Sequence, residues 1–513
     1  MRPADEERFS ALVSWATLHG ASLHPALEIY KDDVTGFSMR VKSLSGPEET
    51  TLKPSDEVLA CPLEISLSYL NALTGQPLST TTPPDHTSKN SPQFPPELMK
   101  AAPHIIGRFY LMQQYLLGKA SFWYPYIATL PQPDVTSSWA SPPFWPEEDA
   151  EFLEGTNTGI AADTIRAQLK EEFKLARKAL KEANFENWQD YTRLLHNWAY
   201  SIFASRSFRP SLVLPKAIQD SVLPAGLAID DFSVLLPVFD IINHSMKAEV
   251  RWLVDHESAD AKVCRFQTLD TYKPGDQIFN SYGKKTNSEL LLSYGFFLPE
   301  TDELHNDYVH MRKRAGLLPQ SGTQQLPRAG AGSTEIPQDF LVSLRPMNDP
   351  SSFVGSSRQT VAKDARWDIR PEFAHIEDSL VWDLCLMVIG EESKPSFMAE
   401  ILENSPVAGQ VAQEHECLQR ILSASASLPE TVQQVIEKVK QLLLSKLGMD
   451  YDRLLSTAPG VSVDKEGNEI VTEVVPQTQN QAVALLYRAQ VQKVLETVIE
   501  TLVPDWQNGA EEE

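Results

Sequence analysis

The chain has 513 residues, more than a single hydrophobic core usually serves, so two or three domains are expected. Its 42% hydrophobic and 22% charged residues exclude a disordered chain. A formal net charge of −24 argues against a protein that holds nucleic acid over a broad face; it suits either basic partners, which the field would steer in, or a solvated acidic surface with no partner role.

The stretch from Met1 to Gly20 has acids where a signal peptide needs an apolar core, and no run approaches ~18 uninterrupted apolar residues. A soluble chain with no membrane partner is therefore expected. Phe9, Leu12, Val13 and Ala16 recur at helical spacing and predict an amphipathic helix that Gly20 stops. Short strands are predicted at 27–30 and 37–41 around a turn at 32–36, with another fed by a turn within 52–62. Residues 77–97, rich in Pro, Ser and Thr, read as a loop or linker.

A helical pattern returns at 103–117 through Ile105, Ile106, Phe109 and Met112. The aromatic and proline-rich region from Trp123 to Trp145 reads as loops packed over a helical core, with a peptide-docking surface as the alternative. Two helices follow, one at 164–182 with Ile165, Leu169, Phe173, Ala176 and Leu180, the other at 191–205 with Leu195, Trp198, Ala199 and Ile202. The second runs into Ser205-Arg206-Ser207-Phe208.

An apolar run at 234–242 ends in the polar cluster Asn243-His244-Ser245, an arrangement that delivers side chains to a pocket rim or simply caps a strand end. A Pro-Gly turn at 272–276 feeds an extended segment, Gln277 to Gly283. A helix is predicted at 288–294, with Leu291 and Leu292 inward and Gly295 just past its end. The Gly/Ser/Gln/Pro-rich stretch 316–358 marks a connection and a domain boundary. Beyond it the pattern is helical, at 378–387, at 418–424, at 428–447 through Val432, Val435, Val439, Leu442 and Leu443, and at 479–502 through Ala482, Leu485, Leu486, Ala489, Val494, Leu495, Val498 and Leu502. The cysteines Cys61, Cys264, Cys385 and Cys417 form no CxxC pair, so neither a metal centre nor a disulfide framework is indicated, and a reducing compartment is expected.

The order of Asn243-His244-Ser245, Ser281-Tyr282-Gly283 and Tyr294-Gly295-Phe296-Phe297 resembles the C-terminal half of a SET-domain methyltransferase, in the form typified by the RuBisCO large-subunit methyltransferase. The resemblance implies an α+β protein. A β-rich SET domain would occupy 1–300, divided into 1–75, a mainly helical insert at 76–230, and 231–300; an all-α substrate-binding domain would occupy 301–513. It implies S-adenosylmethionine as cofactor and a protein-lysine N-methyltransferase activity on a non-histone, cytosolic or ribosomal protein. The substrate would be basic, the enzyme a monomer, and its location the cytoplasm, with the nucleus as a second one.

By the same resemblance Tyr282 is the catalytic tyrosine, polarising the transferring methyl and holding the amine in line. Asn243 and His244 would hold the adenosine and amino acid portions of the cofactor, Asp240 would steady the knuckle, and Arg206 would meet the cofactor carboxylate. The alternative for Arg206 is a cation at the negative end of its helix. In the family a Glu-Gly-hydrophobic-Gly turn approaches the cofactor; Thr35-Gly36-Phe37-Ser38 matches it in part, so that Thr35, Gly36 and Phe37 are cofactor candidates beside the alternative of an ordinary hairpin turn.

Lysine, with a pKa of about 10.4, must lose a proton to react, which costs roughly 4 to 5 kcal/mol at neutral pH. An aromatic, poorly hydrated channel lowers that pKa, and Tyr282, Tyr294, Phe297 and Phe208 are suited to form one; Tyr294 is also a cofactor candidate. Phe208 favours lysine over histidine, since the actin-histidine methylating relative has an asparagine at that place. The departures at Thr35 and Ser38 keep open a second class of function, a SET scaffold that binds a protein partner without turnover.

Overall fold

The computed structural model describes residues 3–43, 51–78, 92–216, 219, 224, 226–254, 263–312, 339–364, 366–402, 409–463 and 469–504. Most of the proline-rich linker expected at 77–97 thus lies outside the described residues, as does much of the connection expected at 316–358. The architecture is α+β. The described chain divides into two compact units, one from 1–139 and 166–283, the other from 140–165, 284–312 and 339–504.

In the first unit the opening helix Pro3–Leu18 buries Phe9, Leu12 and Ala16 along one stripe. Gly20 ends it with φ of 90°, where its N–H donates to Thr17 O and the Ala21 N–H reaches back to Ala16 O. That pair of bonds is the Schellman pattern, and glycine supplies its left-handed residue.

The strands are short. β1 (Ser22–Leu23), β4 (Glu57–Pro62), β10 (Val263–Thr268) and β9 (Val250–Val254) form an antiparallel sheet in the order β1-β4-β10-β9. β2 (Leu27–Asp32) and β3 (Gly36–Val41) form a hairpin. β7 (Val234–Leu235) lies between β5 (Leu67–Ser68) and β6 (Ser207–Phe208), and β8 (Asn243–His244) pairs in parallel with β11 (Phe279–Asn280). The cysteines distant in sequence do not stay apart: Cys61 and Cys264 are cross-strand partners on β4 and β10, both buried as free thiols.

Two expected strands are broken up. The apolar run 234–242 is β7, a 3-10 turn Phe239–Ile241 and β8, because Pro237 has no N–H for a ladder and Val238 adopts φ of 75°. The segment 277–283 starts along β3, where Gly275 N donates to Val41 O, Val41 N to Asp276 O and Ile278 N to Met39 O, and only then turns to meet β8. One stretch of chain thereby ties the hairpin to the Asn243-His244 strand.

The helices expected at 103–117 and 191–205 are Pro103–Leu117 and Arg193–Arg206, with Ile105, Ile106, Phe109, Met112, Leu195, Trp198, Ala199 and Ile202 buried. The helix expected at 164–182 starts earlier, at Asn157.

The second unit has its own core of helices Asp378–Ile389, Gln410–Leu422, Glu430–Ser456 and Gln479–Leu502. Within the stretch expected to be a loop, Asp339–Ser343 is a strand paired with Tyr308–Arg312, and Phe353–Arg358 is a helix. The helix Asn287–Tyr294 carries a capping box between Thr286 and Glu289 and ends at Gly295, φ 77°. Its inward pair is Leu290 and Leu291, with Leu292 only half-buried. Among the described residues no helix is long and apolar enough to cross a membrane.

Candidate active site

The parallel pairing of β8 with β11 sets Asn243 beside Phe279 and His244 beside Asn280, and the Ser245 N–H donates to Asn280 O at 2.9 Å. Two residues beyond Asn280, the Tyr282 N–H donates to His244 Nδ1 at 3.0 Å, and the two rings stack with centroids 4.9 Å apart at 17°. With Nδ1 accepting, the neutral imidazole carries its proton on Nε2. The Tyr282 hydroxyl donates to Ile242 O at 3.0 Å. Tyr282 is thus held by its backbone at one end and its hydroxyl at the other, against the strand that bears Asn243 and His244. A phenol oxygen that has donated its proton still has lone pairs for C–H contacts from a polarised methyl group.

Asn243 faces the hairpin turn. Its Nδ2 lies 3.2 Å from Thr35 O and 3.5 Å from Phe37 O. The turn is closed by Asp32 Oδ1, which accepts from the Val34 and Thr35 N–H groups at 2.8 Å each; these bonds draw the Asp32 carboxyl below its ordinary pKa. Gly36 has φ of 76°, and a Cβ built there would meet nothing within 4 Å, so the turn presents bare backbone to open space. That is the surface a cofactor needs for close approach.

Arg206 ends the helix Arg193–Arg206 and its Nη1 donates to both Asp240 O, at 3.1 Å, and Asp240 Oδ2, at 3.2 Å. The same Oδ2 accepts from the Tyr126 hydroxyl at 3.0 Å. Burial works against the guanidinium charge, but Asp240 beside it more than offsets this and raises the Arg206 pKa. The other guanidinium nitrogens make no hydrogen bond among the described residues, and they are the donors a carboxylate could take.

Phe208, on β6, sets its ring edge-on to Phe239 at 6.3 Å and 5.2 Å from Trp252, in an aromatic group with Phe266. Tyr294 and Phe297 belong to the second unit; burial pushes the Tyr294 phenol up to about 12, and Phe297 packs on that unit's core.

Three residues of this region carried no signal in the sequence. Tyr126 was hidden in an aromatic-proline stretch that reads as packing. Gln277 is a polar residue on an extended segment, yet its carboxamide touches Tyr30, Thr35 and Ser38. Asn280 is 1% exposed, and its Oδ1 has no hydrogen-bond partner among the described residues.

No protein-family model matches the chain. Among curated proteins it is 28% identical over 317 residues to a ribosomal lysine N-methyltransferase of Schizosaccharomyces pombe, covering 60% of this chain and 50% of that protein. It is 26% identical over 257 residues to an N-lysine methyltransferase of Homo sapiens, covering 48% and 49% respectively. With an actin-histidine N-methyltransferase of Gallus gallus it shares 23% identity over 357 residues, or 68% of this chain and 51% of that one. The chain therefore spans about half the length of these curated relatives. Among solved structures, RuBisCO large-subunit methyltransferase bound to S-adenosylmethionine matches with a TM-score of 0.55 at 16% identity, over 100% of this chain and 93% of that one. The SET domain of the large-subunit methyltransferase bound to lysine and S-adenosylhomocysteine gives 0.56 at 15% identity, over 99% and 93%.

A parallel knuckle of Asn243 and His244 is locked onto Tyr282 within a fold that matches the SET-domain structures of the large-subunit methyltransferase. The chain's homologues are protein methyltransferases. The solved structures it matches are of the RuBisCO large-subunit methyltransferase type.

Proposed function

We propose that the chain is an S-adenosylmethionine-dependent protein-lysine N-methyltransferase acting on a non-histone protein of the cytosol or the ribosome. The observation that carries this reading is Tyr282, fixed at both ends between His244 Nδ1 and the Ile242 carbonyl, while Asn243, next to His244, reaches a turn whose Gly36 faces open space. The cofactor would supply an electrophilic methyl group on a sulfonium. Arg206 would hold its carboxylate, and the backbone of Thr35, Gly36 and Phe37, braced by Asn243, would line its path. Tyr282 would hold the methyl group and the neutral amine in line, which is a positioning contribution. Phe208 is a candidate for the apolar surroundings that lower the lysine pKa; Tyr294 and Phe297 remain substrate candidates on the second unit, and Tyr294 is also a cofactor candidate.

A substrate-binding role for the second unit belongs to the same reading, with a basic target segment that the net charge of −24 would attract, a monomeric enzyme, and the cytoplasm as its location with the nucleus as a second one. The histidine reading keeps one observation in its favour, since the actin-histidine relative aligns over 68% of this chain.

Labelled methyl transfer into a cell extract tests both. The wild type is expected to label a discrete protein, with methyl-lysine recovered after acid hydrolysis, and Tyr282→Phe to lower the rate on the order of 10²-fold with cofactor binding kept. Recovery of methyl-histidine would move the reading to the other acceptor. Binding of no cofactor and labelling of no protein would leave only a scaffold.

A further inference from the structure

The two side chains that flank the Gly36-Phe37 backbone, Thr35 and Ser38, end on one group. Gln277 Nε2 donates to Ser38 Oγ at 2.7 Å and to Thr35 Oγ1 at 3.1 Å, while Gln277 Oε1 accepts from the Tyr30 hydroxyl at 3.1 Å and lies 3.4 Å from Thr35 Oγ1. Ser38 is 0% exposed, so its hydroxyl depends on a protein partner. Gln277 is itself fixed by backbone: it bridges to Arg40, and the bonds of Val41 with Asp276 and of Ile278 with Met39 hold the chain on either side of it. Asn243 Nδ2 in turn donates to the carbonyls of Thr35 and Phe37, and Asp32 Oδ1 accepts from the N–H groups of Val34 and Thr35.

The turn is therefore gripped three ways, by Asp32 on its amides, Asn243 on its carbonyls and Gln277 on its side chains. Only the last grip acts through the turn's own side chains. We infer that Gln277 is a positioning residue for the cofactor, keeping Thr35 to Ser38 in the shape that exposes the Gly36 backbone. Its carboxamide suits the task because it offers a donor to two hydroxyls and an acceptor to a third at once. Thr35, Ser38 and Gln277 then form one unit, in which the two departures from a glycine-rich turn are compensated by a residue from a distant segment that bridges to β3. This assignment rests on the methyltransferase reading given above.

The test is calorimetric titration of the full chain with S-adenosylmethionine, for the wild type, Gln277→Leu, Thr35→Val/Ser38→Ala, and the triple variant, together with cofactor KM and kcat. Gln277→Leu is expected to raise Kd and cofactor KM about tenfold with kcat within about twofold. The double variant should give a similar rise, and the triple variant no more than the double, because the groups act as a unit. A residue that merely braces the hairpin would lower the melting temperature and leave Kd unchanged; that result, or additive losses in the triple variant, overturns the assignment alone. Should Gln277→Leu fail to fold, an unchanged Kd in Thr35→Val/Ser38→Ala overturns it as well. Absence of heat with the wild type would overturn the methyltransferase reading, and the role of Gln277 with it.

Discussion

Asp240 sits at the balance point of the site. Its side chain is 2% exposed, against 28% for Arg206, so the carboxylate depends on Arg206 and on the Tyr126 hydroxyl for what water would otherwise provide. Removing one partner of such a pair leaves a buried charge uncompensated. Arg206→Met should cost about 3–5 kcal/mol by urea denaturation, and Tyr126→Phe about 1–3 kcal/mol. Adding Asp240→Asn to Arg206→Met should return part of the first loss; a double variant less stable than Arg206→Met would show that Asp240 needs no counter-charge. Asp240 and Arg206 were each legible as motif residues, one before Asn243-His244 and one in Ser205-Arg206-Ser207-Phe208. Their bond was not, because it joins positions 34 residues apart and because Tyr126, the third member, lies in a stretch whose composition speaks only of packing.

Two glycines show how differently one residue type can serve an element. Gly295 and Gly36 both have positive φ, which an alanine adopts at a cost of about 1–2 kcal/mol. At Gly36 that strain is the whole cost, since the space beyond it is open; at Gly295 a methyl group would also run into the Cβ and carbonyl of Ala140. Gly36→Ala is expected to melt within a few degrees of the wild type while binding S-adenosylmethionine less well, and Gly295→Ala to lose several times more stability. Equal melting temperatures would refute the distinction. Helix ends such as Gly20 and Gly295 were readable because one residue carries the signal.

Helix faces were less so. In Glu430–Ser456 the buried stripe is Val432, Ile436, Val439, Leu443 and Leu447, while the expected Leu442 is exposed and Val435 half-buried. In Gln479–Leu502 the first turns bury Ala484, Tyr487 and Arg488 in place of the expected Leu485, Leu486 and Ala489. Arg488 can be buried because its guanidinium donates to the carbonyls of Glu154 and Leu454, a satisfaction no periodicity reveals. The strand Asp339–Ser343 escaped for another reason, since the Gly- and Ser-rich run before it drew the whole region into a loop.

At the scale of the molecule, the two units carry buried groups of opposite pH response. In the first, His196 is 0% exposed between the rings of Phe109 and Phe173, and burial, with the Arg108 charge, pushes its pKa from 6.5 down to about 3 against the pull of Glu172. The unfolded chain therefore binds more protons at this site between about pH 3 and 6.5, and its contribution to stability is lost as pH falls through that window. In the second unit burial, with the Glu300 charge, pushes Asp307 from 3.8 up to about 7, against the Asn287 amide and the charges of Lys493 and Arg345. Here the folded state binds more protons, so the contribution is present at acid pH and lost as pH rises from about 4 to 7. Calorimetric melts across this range should separate the two. Asp307→Asn is expected to gain on the wild type as pH rises toward about 7, whereas His196→Phe should gain on it as pH falls below about 6. Variants whose melting curves stay parallel to the wild type across the range would mean that neither group titrates on unfolding, and that the burial of both is relieved by water the surrounding side chains admit.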